Sequence, residues 1–186
     1  MTPIQGYKEI QAQGAGFEAL PAGGYKCVIV NAQEKDSRTG RPMLCLCLDI
    51  AEGEYAGHFR KLWETRKANE KDGKKAKWPC IFYMLADNEA MPRFKGNMNA
   101  IEASNEGYDW DATGWKEKTL TNKVTGAVFR EEEFEKSDGS VGVSVRVAWL
   151  CSYDKAEGAK VPARRKLKQS IAATGGVPET TEEIPF

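Results

Sequence analysis

The sequence predicts a mainly β barrel of five strands with a helical insertion between the third and fourth. Three observations predict it. Stretches of strand length recur along the chain, some alternating and some continuously apolar, each bounded by Gly, Pro, Asn or Asp clusters. One stretch after Pro92 instead repeats its apolar residues at helical spacing. The 186 residues, 41% hydrophobic and 29% charged, suit one domain with a real core and short tails.

The elements follow in order. In "LPAGGYKCVIVNAQEK", Pro21, Gly23 and Gly24 punctuate; Tyr25, Cys27, Ile29 and Asn31 then alternate with Lys26, Val28 and Val30. This predicts a strand starting near Gly24. "DSRTGRP" is a polar turn, and "MLCLCLDI" is apolar throughout, as a buried central strand is. The two form a hairpin. "AEGEYAGHFRKLW" ends in a short strand-like piece over 59–63, the third strand. "CIFYMLADNEA", after Pro79, reads as a short buried helix that Pro92 breaks or restarts. Met91, Phe94, Met98 and Ile101 then share one helical face, closed by Asn105 and Gly107. "TLTNKVTGAVFREEEFEK" is the fourth strand, with Gly126 marking a bulge. "SDGS" is a hairpin turn. In "VGVSVRVAWLCSY", Val141, Val143, Val145, Val147, Trp149, Cys151 and Tyr153 share one face of a fifth strand. Five strands with a helix between the third and fourth is the element order of an OB-fold barrel.

Composition excludes several classes. No apolar run reaches the length of about 18 residues that a membrane helix needs. "MTPIQGYKEIQAQ" lacks the basic start and apolar stretch of a signal peptide. The expected location is the cytoplasm. The five cysteines are Cys27, Cys45, Cys47, Cys80 and Cys151, and His58 is the only histidine. An odd count without a CxxC pair argues against a disulfide framework and a zinc site. Reduced core thiols are expected, with Cys45 and Cys47 on one side of a buried strand, and no metal or cofactor.

Equal numbers of basic and acidic residues, 27 each, give no net formal charge. The distribution is uneven. Residues 59–78 hold Arg60, Lys61, Arg66, Lys67, Lys71, Lys74, Lys75 and Lys77 against Glu64, Glu70 and Asp72. Phe59, Trp63 and Trp78 are interleaved with them. Single-stranded nucleic acid needs cations for its phosphates and flat apolar faces for its unstacked bases, each stacked base being worth about 1–3 kcal/mol. Trp63 and Trp78 either stack on bases or fill the core; at this level both stay open. A second basic run includes Arg164 and Arg165.

The chain ends in "ETTEEIPF". Glu182, Glu183, Ile184, Pro185 and Phe186 make an acidic approach to an apolar hook. "AATGGVPETT", before it, has linker composition. The organisation is an N-terminal arm over 1–20, a barrel domain over 21–168, and a linker with an acidic tail over 169–186.

An OB-like body, a linker and a short acidic tail ending in Ile-Pro-Phe resemble bacterial single-stranded DNA-binding proteins. "LPAGGYKCVIVNAQ", "DIAEGEYAGHF", "KWPCIFYML", "FKGNMNAIEASNEGYDWD" and "LTNKVTGAVFREEEFE" resemble a phage and prophage family, long described as of unknown function and linked to single-stranded DNA binding. The resemblance implies an OB-like fold, a non-catalytic role in phage replication or recombination within the host cytoplasm, and a tail that docks on replication or recombination proteins. Ile184, Pro185 and Phe186 carry over from the bacterial tail; Glu182 and Glu183 stand where aspartates are usual. Homo-oligomer formation stays open.

Two alternatives remain. One is a metal-dependent nuclease using Asp109 with Asp111, or the run Glu131, Glu132 and Glu133. The other is an adaptor that binds only proteins.

Overall fold

The computed structural model describes residues 19–70 and 75–167. Strand β1 (Gly23–Asp36) pairs antiparallel with β2 (Pro42–Ile50). The turn between them closes through the Ser37 N–H, which donates to the Arg41 carbonyl at 2.7 Å, and Gly40 supplies the left-handed φ of 74°. Strand β3 (Ile81–Leu85) adds to the free side of β2. Strand β4 (Val124–Glu135) adds to the other side of β1, and β5 (Val141–Cys151) adds to β4. The sheet runs β3-β2-β1-β4-β5, antiparallel throughout. The fold is mainly β, with five strands in one open sheet and two helices, as in an OB-like barrel left open between β3 and β5.

The third strand and the predicted short helix change places. Residues 59–63 belong to helix α1 (His58–Ala68), while "CIFYMLADNEA" supplies β3. Phe59, Leu62, Trp63 and Arg66 fall at i, i+3, i+4 and i+7, a helical period that a five-residue window hides. The buried carboxylate of Asp49 starts α1: its Oδ1 accepts the Phe59 N–H at 3.0 Å and the Ile50 N–H at 2.9 Å. A five-residue apolar run such as "IFYML" is too short to settle its type by itself, and the open edge of β2 captures it as a strand.

Helix α2 (Met91–Ala103) lies between β3 and β4 and buries Phe94, Asn97, Met98 and Ile101, on the predicted face. Pro92 sits in its first turn, where the missing N–H costs nothing, so it starts the helix. The Asn105 amide then donates to the carbonyls of Ile101 (2.7 Å) and Val124 (2.8 Å), tying the end of α2 to β4.

Two strand details also differ from expectation. β1 has a bulge between Ile29 and Asn31, so burial passes from Ile29 to Ala32, and Asn31 is exposed. Gly126 is not a bulge: it pairs regularly with Lys26 and Cys151. Its role is close approach, since a Cβ there would stand 2.7 Å from Cys151 Sγ and from the Ser152 oxygen. The bulge lies instead between Val128 and Phe129, whose partners Trp149 and Val147 leave Ala148 as an extra residue on β5. The face predicted from Val141 to Tyr153 is therefore split. Val145 and Val147 pack on the core, Leu150 turns inward, and Trp149, Val141 and Val143 are exposed.

The core is built from Cys27, Ile29, Leu46, Leu48, Ile101, Leu120 and Phe129, all fully buried. Leu20, inside the predicted arm, is also buried; residues 1–18 of that arm lie outside the described residues. The cysteines are free thiols. Burial pushes the thiols of Cys27 and Cys80 well up, so they stay protonated in the neutral range. No helix among the described residues is long and apolar enough to cross a membrane.

Candidate nucleic-acid interface

The open side of the barrel is a groove of about 610 Å³ between the edges of β3 and β5. β3 supplies its wall over Ile81–Leu85, and β5 supplies Ser144, Val145, Arg146, Val147 and Ala148. Helix α1 adds Arg66, helix α2 adds Arg93, β4 adds Arg130, and the chain after β5 adds Arg165. Among the described residues, five arginines thus line the groove against one acid, Glu132.

Local folding explains how they meet. The tight β4–β5 hairpin, closed by the Lys136 N–H on the Ser140 carbonyl, sets a register in which Arg130 faces Arg146. Like charges directly opposite in a ladder are destabilising. Glu132 relieves Arg130 through a 2.8 Å ion pair and approaches Arg165 at 3.8 Å. Arg146 instead donates to the Ser144 hydroxyl at 3.3 Å. Among the described residues, Arg66, Arg93 and Arg146 make no ion pair. Residues 164–167 are held along the outer half of β4: the Arg165 N–H donates to the Glu131 carbonyl, and the Glu133 N–H donates to the Arg165 carbonyl, both at 2.9 Å. Arg164 pairs with the Glu131 carboxylate at 2.6 Å. On the opposite wall Tyr83 is 55% exposed, an aromatic face on the β3 edge.

The sequence-predicted residues are distributed unevenly around this groove. Arg66 and Arg165 line it. Phe59 forms part of its floor, but its ring is stacked on Phe129 and is 8% exposed. Trp78 packs against the core and donates its indole N–H to the Leu48 carbonyl at 2.8 Å. Trp63 leans on Trp78 with ring centroids 5.8 Å apart, and Lys67 covers it, Nζ to centroid 4.9 Å. The Trp63 indole N–H also reaches the Ala76 carbonyl at 3.4 Å, so the two indoles clasp the residues leading into β3. Arg60, 3.8 Å from Asp49, and Lys61, Lys75 and Lys77 are exposed around that clasp and do not line the groove. Lys71, Lys74 and the tail residues Glu182, Glu183, Ile184, Pro185 and Phe186 lie outside the described residues.

Sequence reasoning missed Arg93, Arg130, Arg146 and Tyr83. None belongs to a basic run: Arg130 and Arg146 have apolar or acidic neighbours, and Arg93 has a single lysine, Lys95, nearby. A signal did exist for two of them: counting back from the "SDGS" turn in simple antiparallel register sets Arg130 opposite Arg146.

The acids of the nuclease alternative are engaged otherwise. Glu131 and Glu132 pair with arginines, and Glu133 accepts the Leu167 N–H at 3.1 Å. Asp109 accepts the Ala112 N–H at 3.1 Å, and Asp111 accepts the Trp115 indole N–H at 2.8 Å.

Residues 7–92 match a family described as a protein of unknown function (DUF669). That match reaches from before β1 through β3 to the first residues of α2, and so includes Arg66 and Tyr83. A search of curated proteins finds no match.

Proposed function

We propose that the chain is a non-catalytic single-stranded DNA-binding protein acting in phage replication or recombination, with the strand running through the cleft between β3 and β5. The observation that carries this reading is the arginine set: among the described residues, five arginines converge from four different segments and the sheet edge upon a groove lined by one acid. Maintaining Arg130 opposite Arg146 costs folding stability, and a bound polyanion would offset it. A single strand also needs something for its bases, and Tyr83 offers an exposed ring on the facing wall. Guanidinium groups suit phosphate because their planar forks bond two oxygens at once. Lys61 and Lys67 on α1, with Lys75 and Lys77 before β3, are exposed and add to the positive field, which would speed encounter more than it adds affinity.

The acidic tail completes the proposal. Glu182 and Glu183 would be repelled by DNA and attracted to a basic rim on a partner. Ile184, Pro185 and Phe186 would dock as an apolar hook on a replication or recombination protein.

The test is a titration of a dT oligonucleotide at two salt concentrations with the parent and the triple variant R93Q/R130Q/R146Q. Counterion release from single strands gives a slope of about −0.7 per phosphate neutralised, so the triple variant flattens the slope by about two. A folded triple variant with the parent slope would move the interface away from the groove. Deleting residues 184–186 leaves this affinity in place and removes retention of replication proteins; loss of DNA binding instead would make the tail part of the body.

A further inference from the structure

Next to the arginine groove lies a second pocket, about 320 Å³, at the β1–β2 hairpin end of the barrel. Phe94 of α2 lines both. The pocket is aromatic on one side, with Phe94, Trp110 and Trp115, and carries Glu34 and Asp36 on the other, from β1. Three details set it apart from packed core. Trp110 is 5% exposed, yet its indole N–H is buried without a hydrogen-bond partner. A buried donor left unmade is costly and calls for an explanation. Trp115 holds a left-handed φ of 61°, a conformation bulky residues rarely adopt. That conformation keeps its ring parallel to Phe94, centroids 5.9 Å apart and planes 9° apart, while it stays 44% exposed.

We infer that this pocket is a base-reading subsite that takes a guanine from the single strand lying in the adjacent groove. The inference rests on the proposed nucleic-acid reading and names the base that one position of the groove prefers. Guanine fits the available chemistry on both sides. Its Watson–Crick edge offers two neighbouring N–H donors to a carboxylate, as neither adenine, cytosine nor thymine does. Its O6 and N7 are acceptors to which the Trp110 N–H, solvent-inaccessible in the free protein, donates once the indole turns on binding. Its ring stacks on Trp115, as unpaired bases are held on aromatic faces. The same carboxylates repel phosphate, so the backbone stays in the arginine groove and only a base enters.

Two binding measurements test this on the full chain. The first compares dGMP with dAMP, dCMP and dTMP by tryptophan fluorescence. The second compares a dT oligonucleotide with the same oligonucleotide carrying one central dG or one deoxyinosine, which lacks the 2-amino donor. A single dG tightens binding roughly ten-fold, as a good bidentate base contact does, and inosine recovers only part of it. E34Q/D36N, whose two positions are exposed, removes the dG gain, while dT affinity does not fall, because two charges that repel phosphate are gone. Equal affinity for dG-bearing and all-dT strands, with no dGMP preference, overturns the guanine site while the groove stands. Preference persisting in E34Q/D36N overturns the carboxylate role and with it the site. If dGMP binds with that preference but no oligonucleotide does, the subsite stands and the groove reading falls. If nothing binds, both fall.

Discussion

The two sides of this barrel are made of the same kind of strand and do opposite things. On the closed side, β2, β1 and β4 are paired on both edges, and Cys27, Ile29, Leu46, Leu48 and Phe129 are fully buried. On the open side, β3 and β5 each leave one edge unpaired, and the cleft between them gathers arginines where a barrel would complete its ladder. Unpaired strand edges are a liability that proteins blunt with charge. Here the charge is almost all of one sign, which edge protection alone does not require. The difference teaches that stability rests on one seam of the sheet, while the proposed binding would rest on another. Substitutions on the two seams should therefore change different measurements.

The largest expected effect tests the closed seam. Phe129→Ala removes a fully buried ring that packs on Phe59 and Tyr25, and should cost about 3–5 kcal/mol in denaturant unfolding. Among the molecules that remain folded, the salt slope of DNA binding should not move. A changed slope with unchanged stability would break the division between the seams.

A smaller effect tests the open seam. Tyr83→Ala should weaken single-strand affinity by about 1–3 kcal/mol and shift stability by no more than about 0.5 kcal/mol, as for other exposed positions. A stability loss without a change in affinity would make Tyr83 a packing residue and leave the groove without its aromatic wall.

The smallest effect sharpens the comparison at the β1–β2 turn, away from the groove. The Arg41 guanidinium, hydrogen-bonded to Asp87, holds that carboxyl below its usual range. A carboxylate with a depressed folded pKa contributes stability that is present above the unfolded value. That contribution is lost as pH falls through the folded one. Arg41→Gln should therefore lower the melting temperature slightly at neutral pH and not at strongly acid pH. An equal loss at both would assign Arg41 a packing role instead.

The sequence by itself determined the strand-rich class, both hairpins, the helix carrying Phe94, Met98 and Ile101, and the buried character of "MLCLCLDI". These are local facts: turn chemistry and side-chain period act within a dozen residues, and the chain alone carries them. The tertiary structure decided the rest. Residues 59–63 became helix because Asp49, ten positions earlier, caps the Phe59 N–H, while residues 81–85 became strand because β2 had an edge to offer. One extra residue at Ala148 sent Trp149 outward and Leu150 inward, a change of phase that regular alternation cannot announce. The groove was the least legible feature. Residues 59–78 advertised a basic loop, yet among the described residues only Arg66 of its cations reaches the groove, where it joins Arg93, Arg130, Arg146 and Arg165. Charge along a chain is read as runs, whereas charge in a fold is summed over segments brought together by pairing and helix packing, and only the pairing of β4 with β5, the docking of two helices and the run of residues 164–167 along β4 bring these five arginines to one cleft.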